Sequence, residues 1–297
     1  MYETILVPTD GSEHALRAAE HGVYLARAFD ATVHLLNVVD VQGAAGLFDA
    51  GGVDRAFVDR LEAEGERAIE AVEDAVDGGD LRTALVRGDP REAILEYAAE
   101  QDADVIAMGT HGRTGVNRYI AGSVTERVVR FAEVPVLTVR ATEGSRLEGD
   151  YEDVLVPTDG SDPAAAAIDH GVAIAERTGA RVHAVNVVNV DAFGVGPDYA
   201  SIEELRRHLE AEGQRATDEF AARAEEAGLE AVTDVRGGTP AKTLLRYAEE
   251  HGIDLIAMGT HGRTGLGRYV LGSTTERVLR RSDAPVLAVN AGETLTE

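Results

Sequence analysis

The chain repeats itself at the scale of a whole domain. The segment ILVPTDGS at residues 5–12 returns as VLVPTDGS at residues 154–161, an offset of 149 residues. The ten residues IAMGTHGRTG at 106–115 return unchanged at 256–265, an offset of 150 residues. A period this long indicates a duplicated domain rather than a solenoid, whose repeats span about 20 to 50 residues. The 297 residues are therefore expected to form two domains, each with its own core.

The boundary between the repeats follows from composition. Residues 141–150, ATEGSRLEGD, are polar, contain two glycines and lack hydrophobic periodicity, which is typical of a linker. We assign residues 1–140 to the first domain, residues 141–150 to the linker and residues 151–297 to the second domain.

Short β-branched runs alternate with helical patterns, which predicts an α/β fold with parallel strands, right-handed crossovers and helices on both sheet faces. Asp89 followed by Pro90 marks a helix start. Ligands of such sheets bind beyond the carboxyl ends of the strands. In the first repeat we predict strands at 4–7, 32–38, 81–86, 105–108 and 136–140, and helices at 13–29, 54–76, 90–101 and 123–131.

The connection after the fourth predicted strand is the best candidate for a binding site. Glycines allow backbone N–H groups to converge on a phosphate, and a helix N-terminus favours negative charge. Arg113 or Arg118 would supply a positive charge in the first repeat. The connection contains Gly109, Gly112, Arg113, Gly122 and Ser123, and it recurs as Gly259, Gly262, Arg263, Gly272 and Ser273.

Several of these residues have a structural interpretation as well. Ser123 and Ser273 each precede a glutamate by three residues, as in a capping box, although a cap does not explain three glycines in so long a connection. Asp10 is either a turn former or a ligand to ribose or to phosphate-bound Mg²⁺. His111 and His261 are interpreted as loop-packing residues, because no partner carboxylate is identifiable.

Other chemistries find no support in the sequence. The chain has no cysteine, which excludes disulfides, thiolate metal sites and cysteine nucleophiles. Walker, dinucleotide-binding and nucleophile-elbow motifs are absent, so we assign no catalytic residue and no metal ligand. Ser12 is interpreted as a helix cap, Pro163 as a first-turn residue, and His34 and His183 as structural histidines.

The charge balance is strongly acidic. There are 53 acidic and 28 basic residues, a net charge of -25, and Lys242 is the only lysine. This excludes a general basic surface for nucleic acid or anionic membrane, and it is typical of proteins in the salt-rich cytoplasm of extreme halophiles. The N-terminus leaves no room for a signal peptide, and no apolar run approaches the ~20 residues of a membrane span, so a cytoplasmic protein is expected.

Each repeat resembles a universal stress protein domain of the ATP-binding branch over essentially its whole length. The resemblance rests on VPTDGS, on the Asn37-Val38 and Asn186-Val187 strand ends, and on the G-x2-G-x9-G-S loop, in the same order twice. It implies Rossmann-like (adenine nucleotide alpha hydrolase-like) domains, each a five-stranded parallel sheet in order 3-2-1-4-5. It also implies one ATP per repeat, or AMP or another adenine nucleotide, with Mg²⁺ or Mn²⁺ bound through the phosphates.

The resemblance assigns ligand contacts by position. In the first repeat, Pro8, Thr9, Asp10 and Val38 would border the base and ribose, Met108, Gly109 and Gly112 would follow the ribose and phosphates, and Gly122, Ser123 and Val124 would hold the phosphate tail. In the second, the matching residues are Pro157, Thr158, Asp159, Val187, Met258, Gly259, Gly262, Gly272, Ser273 and Thr274. Thr274 replaces a more usual apolar residue.

The function implied is a nucleotide-dependent regulatory binding module of the stress response. Two alternatives remain open: a slow ATPase or phosphotransferase that uses Asp10 or His111, and an interaction protein that binds no nucleotide. Family dimers commonly pair their last strands, so residues 136–140 and 286–290 are expected to form a pseudodimer within one chain. A further homodimer and an unidentified protein partner are also open.

Overall fold

Each repeat forms an α/β unit in which parallel strands alternate with helices. The computed structural model describes residues 1–45, 54–76, 80–112, 123–190, 199–262 and 271–290. The chain divides into Met1–Leu147 and Glu148–Glu297. Within the described residues, no helix is both long and apolar enough to cross a membrane.

The first unit has strand order β3-β2-β1-β4-β5, with every described pairing parallel. The elements, in chain order, are β1 (Thr4–Pro8), α1 (Glu13–Phe29), β2 (Thr32–Val39), α2 (Val41–Ala45), α3 (Arg55–Ala75), β3 (Asp80–Arg87), α4 (Pro90–Glu100), β4 (Val105–Gly109), α5 (Ser123–Phe131) and β5 (Val136–Val139).

The second unit repeats this arrangement with strand order β8-β7-β6-β9-β10, again parallel. Its elements are β6 (Asp153–Pro157), α6 (Asp162–Thr178), β7 (Arg181–Val188), α7 (Tyr199–Glu226), β8 (Ala231–Gly237), α8 (Pro240–His251), β9 (Leu255–Gly259), α9 (Ser273–Arg281) and β10 (Val286–Val289).

The predicted α/β class and the predicted elements of the first repeat are confirmed, with bounds that differ by one residue at most. Helix α1 has the predicted bounds because both of its ends are encoded locally. The Ser12 side chain caps it by accepting a hydrogen bond from the N–H of Ala15, and Asp30 ends it in the left-handed conformation at φ 58°. Asp89 caps α4, and Pro163 occupies the first turn of α6, as predicted.

Helix α2 was not predicted. Its five residues are too few to show helical periodicity, and the Asp40 side chain, which accepts a hydrogen bond from the N–H of Gly43 at 2.7 Å, holds its first turn.

The central strands are buried, whereas β3 and β8, each at one edge of its unit, are half-exposed. Ile5, Leu6 and Val7 of β1 are fully inaccessible, as expected for parallel strands covered on both faces. Strand β3, at the edge of its unit, contains only exposed and half-buried residues. The carboxyl ends of β1, β2 and β4 thus form the floor of a potential site that rests on a rigid core.

Part of the predicted linker packs onto the first unit. Glu143–Ser145 form a 3-10 turn, and Ser145 is buried. The Ser145 carbonyl accepts a hydrogen bond from Nε2 of His21, at 2.8 Å. A buried structural role for His21 follows from this contact.

Candidate functional site

The loop after the first strand of each unit is a rigid turn. In the second unit, Oγ1 of Thr158 accepts a hydrogen bond from the N–H of Gly160 at 3.2 Å, and Oδ1 of Asp159 accepts one from the N–H of Ser161 at 3.0 Å. Gly160 has φ 75°, a conformation that favours glycine. The first unit has the same two bonds, from Gly11 to Thr9 and from Ser12 to Asp10. The turn-forming interpretation of Asp10 is therefore confirmed.

The second carboxylate oxygen of this aspartate lies against the glycine loop. A Cβ atom at position 112 would lie 2.6 Å from Oδ2 of Asp10, and one at position 262 would lie 2.9 Å from Oδ2 of Asp159. No real Cβ approaches an oxygen so closely, so glycine at these positions allows the two loops to meet. Asp10 thus has one oxygen in its own turn and the other at the mouth of the site.

A buried asparagine joins the ends of the first and second strands. Nδ2 of Asn186 donates a hydrogen bond to the Thr158 carbonyl at 2.7 Å, and Nδ2 of Asn37 donates to the Thr9 carbonyl at 2.8 Å. On its other side, each asparagine packs against a helical glycine, Gly213 in α7 or Gly65 in α3. The Asn-Val strand end was recognised from the sequence, but its helical glycine partner was not.

Gly109 and Gly259 have a packing role. A Cβ atom at position 109 would lie 2.7 Å from the carbonyl carbon of His14, and one at position 259 would lie 2.6 Å from the carbonyl oxygen of Pro163. The first turns of α1 and α6 therefore approach the ends of β4 and β9 too closely for any side chain. These glycines would be required even without a ligand.

The start of α9 differs from the capping-box prediction. Gly272 is the N-cap, and Ser273 is the first helical residue, exposed and without a cap bond. The capping-box interpretation is therefore wrong for Ser273, and the serine is available to a ligand. For Ser123, which begins α5, the residue at the cap position, Gly122, lies outside the described residues.

A threonine fixes this helix start to the sheet. The Oγ1 atom of Thr275 donates a hydrogen bond to the Gly259 carbonyl at 2.8 Å, and Thr125 makes the same bond to Gly109 at the same distance. Both threonines are buried. They were missed from the sequence because their partners lie 16 residues earlier in the chain. Their effect is to hold the helix N-terminus beside the strand end.

These elements enclose one cleft in each unit, of about 400 Å³ in the second and about 280 Å³ in the first. Such volumes are at or near the range of small-molecule sites. The predicted residues that line the first cleft are Pro8, Thr9, Asp10, Val38, Met108, Gly109, Gly112 and Val124. Those that line the second are Pro157, Thr158, Asp159, Val187, Met258, Gly259, Gly262, Gly272, Ser273 and Thr274.

The structure leaves four predicted residues without a position in the site. Arg113, Gly122 and Arg263 lie outside the described residues, as does the side chain of Ser123. Their assignment to the site stays a prediction.

Each cleft also has an apolar wall that the sequence did not reveal. In the second unit it includes Leu209 of α7 and Pro240 and Leu244 of α8. In the first it includes Pro90 and Ile94 of α4. The sequence did contain a signal for this wall. Pro90 and Pro240 begin the helices that follow the third strand of each unit, so these helices start at the sheet edge where the cleft lies.

The described lining of the second cleft has little positive charge. Asp159 and Glu212 are acidic, and within the residues that the structure places there is no lysine or arginine. His111 lines the first cleft, with Nδ1 3.0 Å from Oγ1 of Thr110. Burial, and then the positive charge of Arg140, lower the pKa of His111, which keeps it neutral near pH 7.

The remaining histidines predicted to be structural have structural partners. Nε2 of His183 donates to Oδ1 of Asp153 at 2.7 Å, and its Nδ1 accepts from the Tyr247 hydroxyl at 2.7 Å. His34 pairs with Tyr97 at 3.2 Å. Among the residues placed by the structure, no group of histidines and carboxylates could hold a metal ion.

Comparison with known proteins gives the same family for both repeats. The universal stress protein family model matches residues 1–140 and 150–290. A universal stress protein of Methanocaldococcus jannaschii is 40% identical over 142 residues, covering 47% of this chain and 83% of that protein. Universal stress protein YxiE of Bacillus subtilis is 33% identical over 146 residues, covering 47% of this chain and 99% of that protein.

A solved structure matches both repeats together. The crystal structure of a universal stress protein from Archaeoglobus fulgidus superposes with a TM-score of 0.70 and 24% identity, covering 98% of this chain and 97% of that one. At this identity the likeness establishes the fold alone. Together with the two family matches, it shows that the chain is a tandem member of the universal stress protein family.

Proposed function

We propose that each repeat binds ATP, or a related adenine nucleotide such as AMP, and that the protein acts as a nucleotide-dependent regulatory module of the stress response. One observation carries the proposal: an apolar wall and a helix N-terminus meet in a single cleft at the carboxyl ends of parallel strands. The wall of Val187, Leu209 and Leu244 suits a purine, and the N-terminus of α9 suits a phosphate.

The phosphate end of this cleft offers backbone donors. The first three N–H groups of a helix have no partner within the helix, and here they belong to Ser273, Thr274 and Thr275, all of which line the cleft. Gly272 precedes them, so no Cβ atom obstructs an approaching oxygen. The helix dipole adds about half a positive charge at this point.

A divalent cation fits the charge of the cleft. The phosphates would face Asp159 and Glu212 with no lysine or arginine among the described lining residues. Mg²⁺ or Mn²⁺ bound through the phosphates would reduce the repulsion between the phosphates and these carboxylates. Carboxylate and water oxygens are also the ligands that Mg²⁺ prefers. Nucleotide binding should therefore depend on the metal, and Arg113 and Arg263 are proposed to contribute further positive charge.

The described geometry supports binding more than hydrolysis. In the first cleft, one oxygen of Asp10 is engaged with the N–H of Ser12, and Thr110 lies within hydrogen-bonding distance of Nδ1 of His111. One oxygen of Asp10 and Nδ1 of His111 are thus used within their own loops, and the second oxygen of Asp10 lies at the mouth of the cleft. If hydrolysis occurs, Asp10→Asn or His111→Ala should lower turnover without abolishing binding; equal, negligible turnover in all variants supports a binding module.

The direct test is to denature the purified protein and identify the small molecules released. We expect an adenine nucleotide, and calorimetry should show ATP binding with Mg²⁺ in high salt. No released nucleotide together with no calorimetric binding would refute the proposal.

A site variant sharpens this test. Gly272 has φ -62°, so Gly272→Ala introduces no backbone strain. Its Cβ atom would lie 3.1 Å from the Thr260 carbonyl oxygen, so the loop after β9 or the N-terminus of α9 must shift. We expect the number of nucleotides bound per chain to fall from two to one, because the first repeat is unchanged. Arg280→Ala, on the exposed side of α9, is the control and should leave the number at two.

A further inference from the structure

A second concave surface lies between two helices of the second repeat, outside the nucleotide cleft. It has a volume of about 370 Å³, and we call it the α8–α9 groove. Helix α8 packs against α9, and the groove shares no lining residue with the cleft. Its lining residues are Thr239, Ala241, Lys242, Leu245, Arg277 and Arg281.

The groove has three positive charges in a protein whose net charge is -25. Lys242, the only lysine of the chain, is exposed, as are Arg277 and Arg281. Arg277 and Arg281 are four residues apart and share one face of α9. The groove thus presents cations from both helices to the same space.

These cations have no ion pair with any described residue, whereas other arginines nearby do. Arg236 contacts Asp234 at 2.7 Å and Glu250 at 2.6 Å, and Arg246 contacts Glu250 at 3.4 Å. Acidic residues are abundant in the chain, so a cluster of cations without acidic partners is not explained by solubility or by mutual salt bridges. The arrangement suits an anion from solution.

The first repeat provides an internal comparison, because the corresponding helices have the same offset of 150 residues. Glu92 stands where the second repeat has Lys242, and Phe131 stands where it has Arg281. Of the three cations, only Arg277 has a charged counterpart of the same sign, Arg127; Arg91, which stands where the second repeat has Ala241, is paired with Asp89. Both repeats fold into the same pair of helices, so the fold does not require the positive charges.

We infer that the α8–α9 groove binds a compact polyvalent phosphate anion, for which inorganic tripolyphosphate is the probe. Phosphate groups offer several acceptor oxygens each and form strong charge-assisted hydrogen bonds with lysine and arginine. Its three cations match the charge of an anion with a few phosphate groups. A long polyanion is disfavoured, because outside the groove it would extend over a protein whose net charge is -25.

The test measures, by calorimetry, the binding of tripolyphosphate to the full chain and to its variants, at low ionic strength and without divalent cations. The double variant Lys242→Glu with Arg281→Phe introduces the residues of the first repeat, and we expect its affinity to fall at least about tenfold. Lys242→Arg with Arg281→Lys keeps the charges and should keep the binding. Circular dichroism verifies that each variant is folded, and the single exposed substitution Lys242→Gln replaces the double variant if that one unfolds.

A reciprocal variant tests whether these charges are sufficient. Glu92→Lys with Phe131→Arg places them on α4 and α5, and a second binding event should appear. Absence of that event, or unchanged affinity in Lys242→Glu with Arg281→Phe, would overturn the inference. So would tighter binding of polyglutamate or of a DNA oligonucleotide than of tripolyphosphate, since the groove would then be a docking surface for a macromolecule.

Discussion

Gly213, in the middle of α7, packs against the floor of the second cleft and leaves no room for a side chain. A Cβ atom there would lie 2.8 Å from Cγ of Asn186 and closer still to its Oδ1. Asn186 is buried and donates to the Thr158 carbonyl at the floor of the cleft. Gly213→Ala must therefore displace either the asparagine or the helix.

Opposing effects decide the outcome of Gly213→Ala. Alanine favours the helix over glycine by about 1 kcal/mol. Overpacking a buried contact costs about 1 to 3 kcal/mol, and breaking the Asn186–Thr158 hydrogen bond costs about 1 to 3 kcal/mol more. We expect a net loss of about 1 to 5 kcal/mol in the free energy of unfolding.

Urea denaturation of the full chain, followed by circular dichroism, measures this effect. Ala222→Gly, at an exposed position of the same helix, is the control for helix propensity and should destabilise by about 1 kcal/mol. In an Asn186→Ala background the clash is relieved, so the two substitutions should be non-additive by more than about 0.5 kcal/mol. If Gly213→Ala stabilises the protein, or if the two effects add, the reasoning is refuted.

Three further predictions concern pH, the phosphate end of the cleft and salt. Burial lowers the pKa of His21 to about 4, so the unfolded state takes up the proton first. The first repeat should then lose about 3 kcal/mol in the free energy of unfolding as pH falls from 7 to 4, measured by urea titration. The variant His21→Gln keeps a donor to Ser145 but does not titrate, so it should lose less stability over the same pH range. Thr275→Val removes the bond to Gly259, so nucleotide affinity of the second repeat should fall by calorimetry while Thr275→Ser retains it; equal affinities would contradict this. With a net charge of -25, the melting temperature should rise with added NaCl, and a salt-independent melting temperature would contradict the predicted adaptation to a salt-rich cytoplasm.

The fold could be predicted from the sequence because its main determinants are local. Alternation of β-branched and amphipathic segments indicates the class, and caps such as Ser12 and Asp89 define where helices begin. Because the chain is duplicated, the elements predicted for the first repeat are expected in the second as well. Helix α2 was missed because its stabilising contact is a single side chain, Asp40, rather than a periodic pattern.

The candidate site could be predicted only as a set of positions. The sequence indicated which loops meet, because carboxyl ends of parallel strands share an edge, but it did not indicate why each glycine is required. Gly109 accommodates α1, and Gly112 accommodates Asp10, while a phosphate role had been predicted for both. Thr275 was missed because a hydrogen bond to the Gly259 carbonyl has no signature in sequence spacing.

Comparison of the two repeats separates structural constraints from constraints of a ligand. Asp153 forms a buried pair with His183 and an ion pair with Arg181, yet the first repeat has Thr4 at the corresponding position. The Arg181 side chain is 43% exposed, and ion pairs that reach solvent contribute little to stability, so such positions can diverge. Most described cleft residues are identical or conservatively replaced between the repeats. Two polar differences stand out: Val124 corresponds to Thr274, where the proposed contact is through the backbone, and Asp40 corresponds to Asn189 of the second cleft. Packing explains the retention of Gly109 and Gly259, but it does not require an exposed Ser273 at an open helix N-terminus, and that residue adds separate support for the proposed phosphate site.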